Sequence, residues 1–158
     1  MGRAYVGLGA NLGAREAALR RAVALLDARE DTVVVATSQL RETDPVGLID
    51  QPRFLNGAVA LDTELGPHEL LDVLLEVERE LGRVRDGVRN GPRAIDLDLL
   101  LYDEVTSDEP DLTLPHPRLH ERRFALEPLA DIDPELRVPG RGTVVELLSA
   151  LDASTLRP

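Results

Sequence analysis

The sequence contains no cysteine among its 158 residues. This absence excludes disulfides, zinc sites with thiolate ligands and thiol nucleophiles together. Aromatic residues are scarce at 3% of the chain, so leucine, valine and alanine must fill the core. Hydrophobic residues nevertheless reach 43%, well above what a disordered chain carries. The length fits one domain, and we expect residues 1–158 to form a single one.

Lysine is absent too, and all 18 basic residues are arginines in a chain of net charge −11. Such a charge repels polyanions, so a nucleic-acid groove is not expected. The arginines crowd two short segments, 83–93 and 118–123. Because guanidinium groups grip phosphate oxygens bidentately, this clustering favours a small phosphorylated ligand. Simple replacement of lysine by arginine accounts for the choice of residue, but less easily for the clustering.

Long apolar runs are missing, and none approaches the ~18 residues that span a membrane. The N-terminus also lacks a basic stretch followed by an apolar segment, the pattern of a secretory signal. We therefore expect a cytoplasmic protein without membrane contact. We further expect a monomer.

Hydrophobic periodicity predicts the order β-α-β-β-α-β followed by a C-terminal extension. The predicted strands are Ala4–Leu8, Thr32–Ser38, Leu55–Leu61 and Ala94–Tyr102, and the predicted helices are Arg15–Ala28 and Pro67–Leu81. In the extension, Phe124–Leu129 is a candidate helix and Val144–Leu151 closes the chain as another. Residues 82–92 are interpreted as an exposed, mobile loop and 103–113 as an acidic loop. This order describes a ferredoxin-like α+β sandwich, with an antiparallel sheet and helices on one face.

The strongest chemical signal is the pair Asp96 and Asp98 in the last predicted strand. Residues two apart on a strand share a face, so both carboxylates project together while Ile95, Leu97 and Leu99 enter the core. Oxygen ligands suit magnesium, and carboxylates so placed can bracket two metal ions. The alternative is a half-buried strand whose polar face happens to carry two acids. The arginines upstream favour a phosphoryl-transfer site.

The segment Arg89-Asn-Gly-Pro-Arg93-Ala-Ile-Asp96-Leu-Asp98-Leu-Leu resembles the signature of the 6-hydroxymethyl-7,8-dihydropterin pyrophosphokinase family. Further blocks agree in the same order over roughly residues 4–136. They are Tyr5-Val-Gly-Leu-Gly-Ala-Asn-Leu-Gly13, Thr43-x-Pro-x-Gly47, Gln51-Pro-x-Phe-Leu-Asn56, Gly82-Arg-Val-Arg85, Leu114-Pro-His-Pro and Arg122-Arg-Phe124. The family's fold is the ferredoxin-like sandwich already inferred.

The resemblance implies a set of residues for ATP and for two magnesium ions. Asp96 and Asp98 would hold the metals, and Arg83 and Arg93 would stabilise charge on the transferring group. Phosphates would be gripped by Arg85, Arg122 and His116, with Thr113 and Leu99 nearby. A turn role for His116 is the alternative. Glu78 is a weaker candidate at the nucleotide, since a solvated helix glutamate is equally plausible.

For the pterin, the resemblance implies that Phe54 and Phe124 stack on its two faces. Asn56 would offer a donor and an acceptor to the pterin's amide edge. Thr43, Pro45 and Val46 would close the pocket. These are the chain's two phenylalanines, so their positions are informative, although either could belong to the core.

The implied reaction is transfer of pyrophosphate from ATP to the hydroxymethyl group of the pterin, with release of AMP. Two alternatives stay open. A palm-like nucleotidyltransferase also carries paired aspartates, and a non-catalytic ferredoxin-like module would only bind a ligand. The chain departs from the family pattern at Asn90, Asp111 and Pro117, where other members carry aromatic or basic residues. These departures weaken the expected grip on the nucleotide or shift it elsewhere, and they leave the metal and pterin residues unchanged.

Overall fold

The computed structural model of the protein describes residues 1–10, 15–43, 54–82 and 95–156. The strands are β1 (Gly2–Ala10), β2 (Thr32–Thr37), β3 (Arg41–Thr43), β4 (Phe54–Thr63), β5 (Asp96–Tyr102), β6 (Ser107–Glu109), β7 (Leu112–Leu114), β8 (Arg137–Val138) and β9 (Gly142–Thr143). The helices are α1 (Arg15–Asp27), α2 (Pro67–Gly82), α3 (Arg123–Ile132) and α4 (Val144–Leu156), and a 3-10 turn covers Leu119–Glu121. None of the helices in the described ranges combines the length and the apolar character that a membrane span requires.

The central sheet has the strand order β2-β4-β1-β5, and β3 pairs with β4 beside β2. Every pairing in it is antiparallel. The middle of β4 reads as an unbroken apolar run, Ala58–Leu61, and all four side chains are buried. Such runs are typical of strands that are covered on both faces. The sequence of β4 therefore places it at the centre of a layered structure.

One face of the sheet packs against α1 and α2. From the helices, Leu19, Leu26, Leu70 and Leu74 are almost fully buried in this first core. The spacing of these leucines is the 3.6-residue period that predicts both helices, and the helix prediction at Pro67–Leu81 matches the observed range within one residue. This face forms as the sequence predicts.

The opposite face is covered by the C-terminal extension, which differs from the expectation of helices on one face alone. Leu126 and Leu129 of α3 pack there with Tyr5, Ala58 and Ala60 of the sheet. The two alanines are small, so α3 can approach the strand closely. The sheet is consequently enclosed by two helical layers, and α3 lies above the half of the sheet that carries β4.

The structure also refines several segments that the sequence leaves irregular. The predicted acidic loop 103–113 contains the hairpin β6–β7, whose first strand is Ser-Asp-Glu and therefore has weak strand propensity. Helix α3 continues to Ile132 through Pro128, beyond its predicted end at Leu129. The mobile loop predicted over 82–92 lies, apart from Gly82, outside the described residues.

Candidate active site

Two glycines of β1 form the floor of a cleft on the α3 side of the sheet. Gly9 is paired with Asn56 of β4 on one side and with Asp96 of β5 on the other, and Gly7 is paired with Asp98. Paired residues in an antiparallel sheet project to the same face. Since glycine has no side chain, a gap opens between the amide of Asn56 and the carboxylates of β5. The gap is thus a direct product of the Gly-Leu-Gly sequence.

The cleft above this floor has a volume of about 620 Å³. Half of the sixteen site residues expected from the sequence line it, and they come from β3, β4, β5, the 3-10 turn region and α3. These residues are Thr43, Phe54, Asn56, Asp96, Asp98, His116, Arg122 and Phe124. Residues separated by up to 81 positions in the sequence therefore meet at one place.

The two aspartates lie on the cleft side of β5, as the alternation of the strand predicts. Asp96 is exposed and Asp98 is half-buried. The intervening Leu97 and the following Leu99 are only 4% and 5% exposed in the opposite core. The carboxylates therefore reach solvent from an edge strand whose other face is fixed by packing.

Asn56 is a buried polar residue on the β4 side of the cleft. Its Nδ2 donates a hydrogen bond to the hydroxyl of Thr43 across the β3–β4 pair. Thr43 thereby fixes the orientation of the amide. Within the described residues, the second N–H and the carbonyl oxygen of Asn56 have no protein partner, so both remain for a ligand.

Arg122 and Phe124 form a cation–π pair at the rim of the cleft. The guanidinium carbon lies 5.5 Å from the centre of the phenyl ring, within the range of such contacts. Arg122 makes no salt bridge with any carboxylate of the described residues. Its charge is therefore available to an anion beside the ring.

His116 is held at the cleft by β5 and by its own turn. Its backbone N–H donates to the carbonyl of Leu100, and its Nδ1 accepts from the backbone N–H of Arg118 at 3.3 Å. Burial lowers the pKa of His116, and the nearby Arg122 and Arg118 lower it further, against an opposing effect of Asp98. The ring is consequently neutral at pH 7, with its proton on Nε2, where it can donate to a phosphate oxygen.

Three expected site residues are placed elsewhere. The carboxylate of Glu78 accepts a hydrogen bond of 2.6 Å from the backbone N–H of Leu97. The side chain of Leu99 is buried in the core shared with α1 and α2. Thr113 lines a second pocket of about 420 Å³, which adjoins the cleft through His116 and Leu119.

The remaining expected residues fall outside the described ranges. They are Pro45, Val46, Arg83, Arg85 and Arg93. Their predicted contacts with the pterin and the phosphates stay predictions.

The cleft also has lining residues that the sequence did not single out as contacts. The floor glycines Gly7 and Gly9 are two of them. The available signal was that they lie two positions apart on a strand and therefore share a face. Arg118 and Arg123 were noticed only as part of an arginine cluster. In the structure Arg123 forms an ion pair with Asp152 of α4 and lies 3.6 Å from Glu127, so its charge is already partly neutralised.

The model of the 7,8-dihydro-6-hydroxymethylpterin-pyrophosphokinase (HPPK) family matches residues 5–134. The chain belongs to this family. It is thus an enzyme, an ATP-dependent pyrophosphokinase. The matched range includes every residue named above as lining the cleft, and it ends just after α3.

Curated relatives of this chain agree with the family model. The chain is 50% identical over 154 residues to 2-amino-4-hydroxy-6-hydroxymethyldihydropteridine pyrophosphokinase of Methylorubrum extorquens, covering 98% of this chain and 96% of that protein. It is 47% identical over 148 residues to the protein of the same name from Pseudomonas aeruginosa, covering 94% and 91%.

Among solved structures, HPPK-DHPS A437G of Plasmodium falciparum superposes with a TM-score of 0.74 at 17% sequence identity. The match covers 98% of this chain but 46% of that one. At this identity the likeness supports the fold alone, and it places the chain's fold beside HPPK structures.

Proposed function

We propose that this chain transfers pyrophosphate from ATP to the hydroxymethyl group of 6-hydroxymethyl-7,8-dihydropterin, in folate biosynthesis. The observation that carries the proposal is one cleft holding two kinds of site side by side. Asp96 and Asp98 stand on β5, and Asn56 stands with two phenylalanines across the glycine floor. A phosphate-handling half and an aromatic ring-binding half adjoin, as a transfer between two such substrates requires.

The pterin half suits a flat bicyclic ring with an amide edge. Phe54 and Phe124 both line the cleft and are half-buried, so each keeps ring surface for stacking. Asn56, oriented by Thr43, offers the donor and acceptor pair that an amide edge demands. The ring would lie over Gly9, where no side chain intervenes.

The phosphate half suits the polyphosphate of ATP. Arg122 supplies a positive charge, and neutral His116 supplies an Nε2 hydrogen-bond donor. The hydroxymethyl oxygen would form a bond to the β-phosphorus while the bond from that phosphorus to the α-phosphate oxygen breaks, and AMP leaves. The hydroxyl proton would pass to Asp98 or to a water molecule. Arg83, Arg85 and Arg93 are proposed to stabilise the transferring group.

The donor set of Asp96 and Asp98 fits magnesium. Both are carboxylates on one face, both reach solvent, and hard divalent cations prefer oxygen ligands. Bound there, two ions would neutralise phosphate charge and lower the pKa of the attacking hydroxyl. Positioning of both substrates by the residues of the cleft would supply the rest of the rate enhancement.

The ferredoxin-like description of the fold is part of this proposal. The strand order β2-β4-β1-β5 with antiparallel pairing and two helices on one face supports it. One domain over residues 1–158 is supported by the sheet that both core clusters share. A monomeric state and a cytoplasmic location stay predictions.

The test is incubation of the protein with ATP, magnesium and 6-hydroxymethyl-7,8-dihydropterin, followed by chromatography of the nucleotides. We expect AMP and a pyrophosphorylated pterin in equal amounts. Release of free pyrophosphate with a nucleotidylated product would instead indicate a nucleotidyltransferase, and no turnover at all would indicate a binding module. Asp96→Ala should lower the rate by ~100-fold or more with an unchanged circular dichroism spectrum, because it removes a metal ligand from the surface.

A further inference from the structure

A bidentate ion pair ties helix α3 to strand β3 beside the cleft. The guanidinium of Arg41 donates to both carboxylate oxygens of Asp131, at 2.6 and 2.7 Å. The backbone N–H of Gln39 donates to the same carboxylate at 3.2 Å. Asp131 therefore accepts three hydrogen bonds from the segment that forms and precedes β3.

This ion pair is better shielded from solvent than an ordinary surface pair. The side chains of Arg41 and Asp131 are 33% and 24% exposed. The hydrogen bonds from Arg41 hold the pKa of Asp131 below its usual range, so the carboxylate is charged at neutral pH. Two parallel bonds in a partly shielded place fix orientation as well as distance.

Each partner of the ion pair lies on an element that also carries a residue of the pterin half of the cleft. Arg41 is paired with Asn56 across the β3–β4 ladder, and two residues further on Thr43 accepts the hydrogen bond from the Asn56 amide. On the helix side, Phe124 lies two turns before Asp131, about 10 Å along the axis at 1.5 Å per residue. The ion pair thus joins the element that carries Thr43 to the element that carries Phe124.

We propose that Arg41 and Asp131 are positioning residues that set the geometry of the pterin half of the cleft. They fix the separation between β3 and α3, and with it the distance between the Asn56 amide and the Phe124 ring. The inference rests on the proposed function, in which that half binds the pterin. It assigns the pair no contact with either substrate.

The chain contains a matched control for the effect of the pair on stability. Arg3 donates to both carboxylate oxygens of Asp62, at 2.5 and 3.2 Å, and the two side chains are 44% and 31% exposed. Arg3 and Asp62 are paired on β1 and β4, six residues from Asn56 along β4 and away from the cleft. Removing either arginine therefore breaks a bidentate pair whose arginine lies on the same sheet, but only the Arg41 pair reaches α3 and adjoins the pterin half.

The experiment compares Arg41→Met with Arg3→Met for KM of the pterin, KM of ATP, kcat and Tm. We expect Arg41→Met to raise the KM of the pterin about tenfold, or ~1.4 kcal/mol, with the KM of ATP and kcat within twofold of wild type. Arg3→Met should lower Tm to a similar extent and leave both KM values within twofold. Arg41→Lys keeps the charge but cannot form the two parallel hydrogen bonds to Asp131, so it should give an intermediate KM for the pterin.

Equilibrium binding of the fluorescent, oxidised 6-hydroxymethylpterin separates failure of this inference from failure of the proposed function. If wild type turns over and both arginine variants keep its affinity for the pterin, the positioning role is wrong and the proposed function stands. If wild type binds the pterin without releasing AMP, the proposed transfer is wrong, and the comparison of affinities still decides the positioning role. Failure of wild type both to bind the pterin and to release AMP with the dihydropterin overturns both, and if AMP is released without binding of the oxidised probe, the comparison of KM values decides the positioning role.

Discussion

At the scale of single residues, the cleft depends as much on missing side chains as on functional groups. Gly7 and Gly9 leave open the strip of sheet between Asn56 and the two aspartates. A Cβ at Gly9 would lie 3.2 Å from Oδ1 of Asn56, closer than ordinary contact. The backbone of Gly9 is not in the left-handed region, so the requirement for glycine there comes from space alone.

Gly9→Ala is expected to weaken pterin binding about tenfold, or ~1.4 kcal/mol, because the added methyl group displaces the amide of Asn56. The net change in stability should be small, because the gain of ~0.4–1 kcal/mol from restricting the unfolded chain is offset by displacement of the hydrogen-bonded Asn56 amide. Pterin affinity and urea unfolding measure the two effects separately. Gly66→Ala is the control, because its Cβ would meet its nearest atom at 3.5 Å in a distant turn. Equal pterin affinity in both variants would contradict the assigned role of the floor.

His116 is expected to act as a neutral donor through Nε2. His116→Gln places an amide N–H near that position and should keep ATP affinity within ~3-fold, whereas His116→Ala should lose about tenfold, the cost of one hydrogen bond. Because burial lowers the pKa of His116 below its usual 6.5, lowering the pH from 7.5 to 6.5 should not strengthen ATP binding through this residue. Calorimetric titration of ATP at both pH values, with His116→Gln as reference, checks this. A wild-type gain in affinity that the variant lacks would show a charged imidazole.

At the scale of elements, the sequence predicted what periodicity controls and missed what tertiary contacts decide. Helix α2 was predicted over Pro67–Leu81 because its leucines repeat at helical spacing, and the side of β5 on which Asp96 and Asp98 lie followed from simple alternation. The sequence did not predict that α3 and α4 cover the second face of the sheet, because the apolar residues of these short helices do not indicate which surface they pack against. The hairpin β6–β7 was missed for the same reason. Its two segments are strands because they pair with each other, and their composition does not indicate this pairing.

Glu78 has a structural contact in addition to the nucleotide role that the sequence suggests. Its carboxylate accepts the N–H of Leu97 on the outer edge of β5, between the two aspartates, and so fastens α2 to that strand. Glu78→Ala should lower the free energy of unfolding by ~1–3 kcal/mol, because the partly buried N–H loses its acceptor. Glu78→Gln keeps an acceptor oxygen and should cost less than ~1 kcal/mol. Chemical denaturation of the two variants measures this difference.

ATP kinetics of the same two variants test the nucleotide role that the sequence suggested for Glu78. If the residue acts only by fastening β5, Glu78→Gln should keep the KM of ATP near that of wild type. A large rise in that KM with unchanged stability would restore a direct contact between the Glu78 charge and the nucleotide.

At the scale of the whole molecule, the fold combines a net charge of −11 with a set of well-paired carboxylates. Hydrogen bonds from Arg29, Arg3 and Arg41 lower the pKa values of Asp31, Asp62 and Asp131, respectively. A carboxyl group whose pKa is lowered in the folded state contributes its full stability at pH values above its unfolded-state pKa. That stability is lost as the pH falls through the folded-state pKa.

Unfolding by urea should therefore show a stable plateau down to about pH 4 and a steep loss below it, since the usual pKa of these aspartates is 3.8. Asp131→Asn should be less stable than wild type at pH 7, and the difference should shrink as the pH approaches 3. An identical difference at both pH values would mean that the charge of Asp131 does not contribute.

The two cores each contain one tyrosine, and the chain has no tryptophan to mask their emission. Tyr5 is buried against α3 and α4, whereas Tyr102 is buried against α2 and donates its hydroxyl proton to the carbonyl of Leu65. Replacing one tyrosine by phenylalanine leaves a spectroscopic reporter of a single helical layer. For each of Tyr5→Phe and Tyr102→Phe, a fluorescence melting curve that coincides with the circular dichroism curve of the same variant would show that both layers unfold in one cooperative transition. A fluorescence curve that precedes it would show that the layer around the remaining tyrosine loosens first.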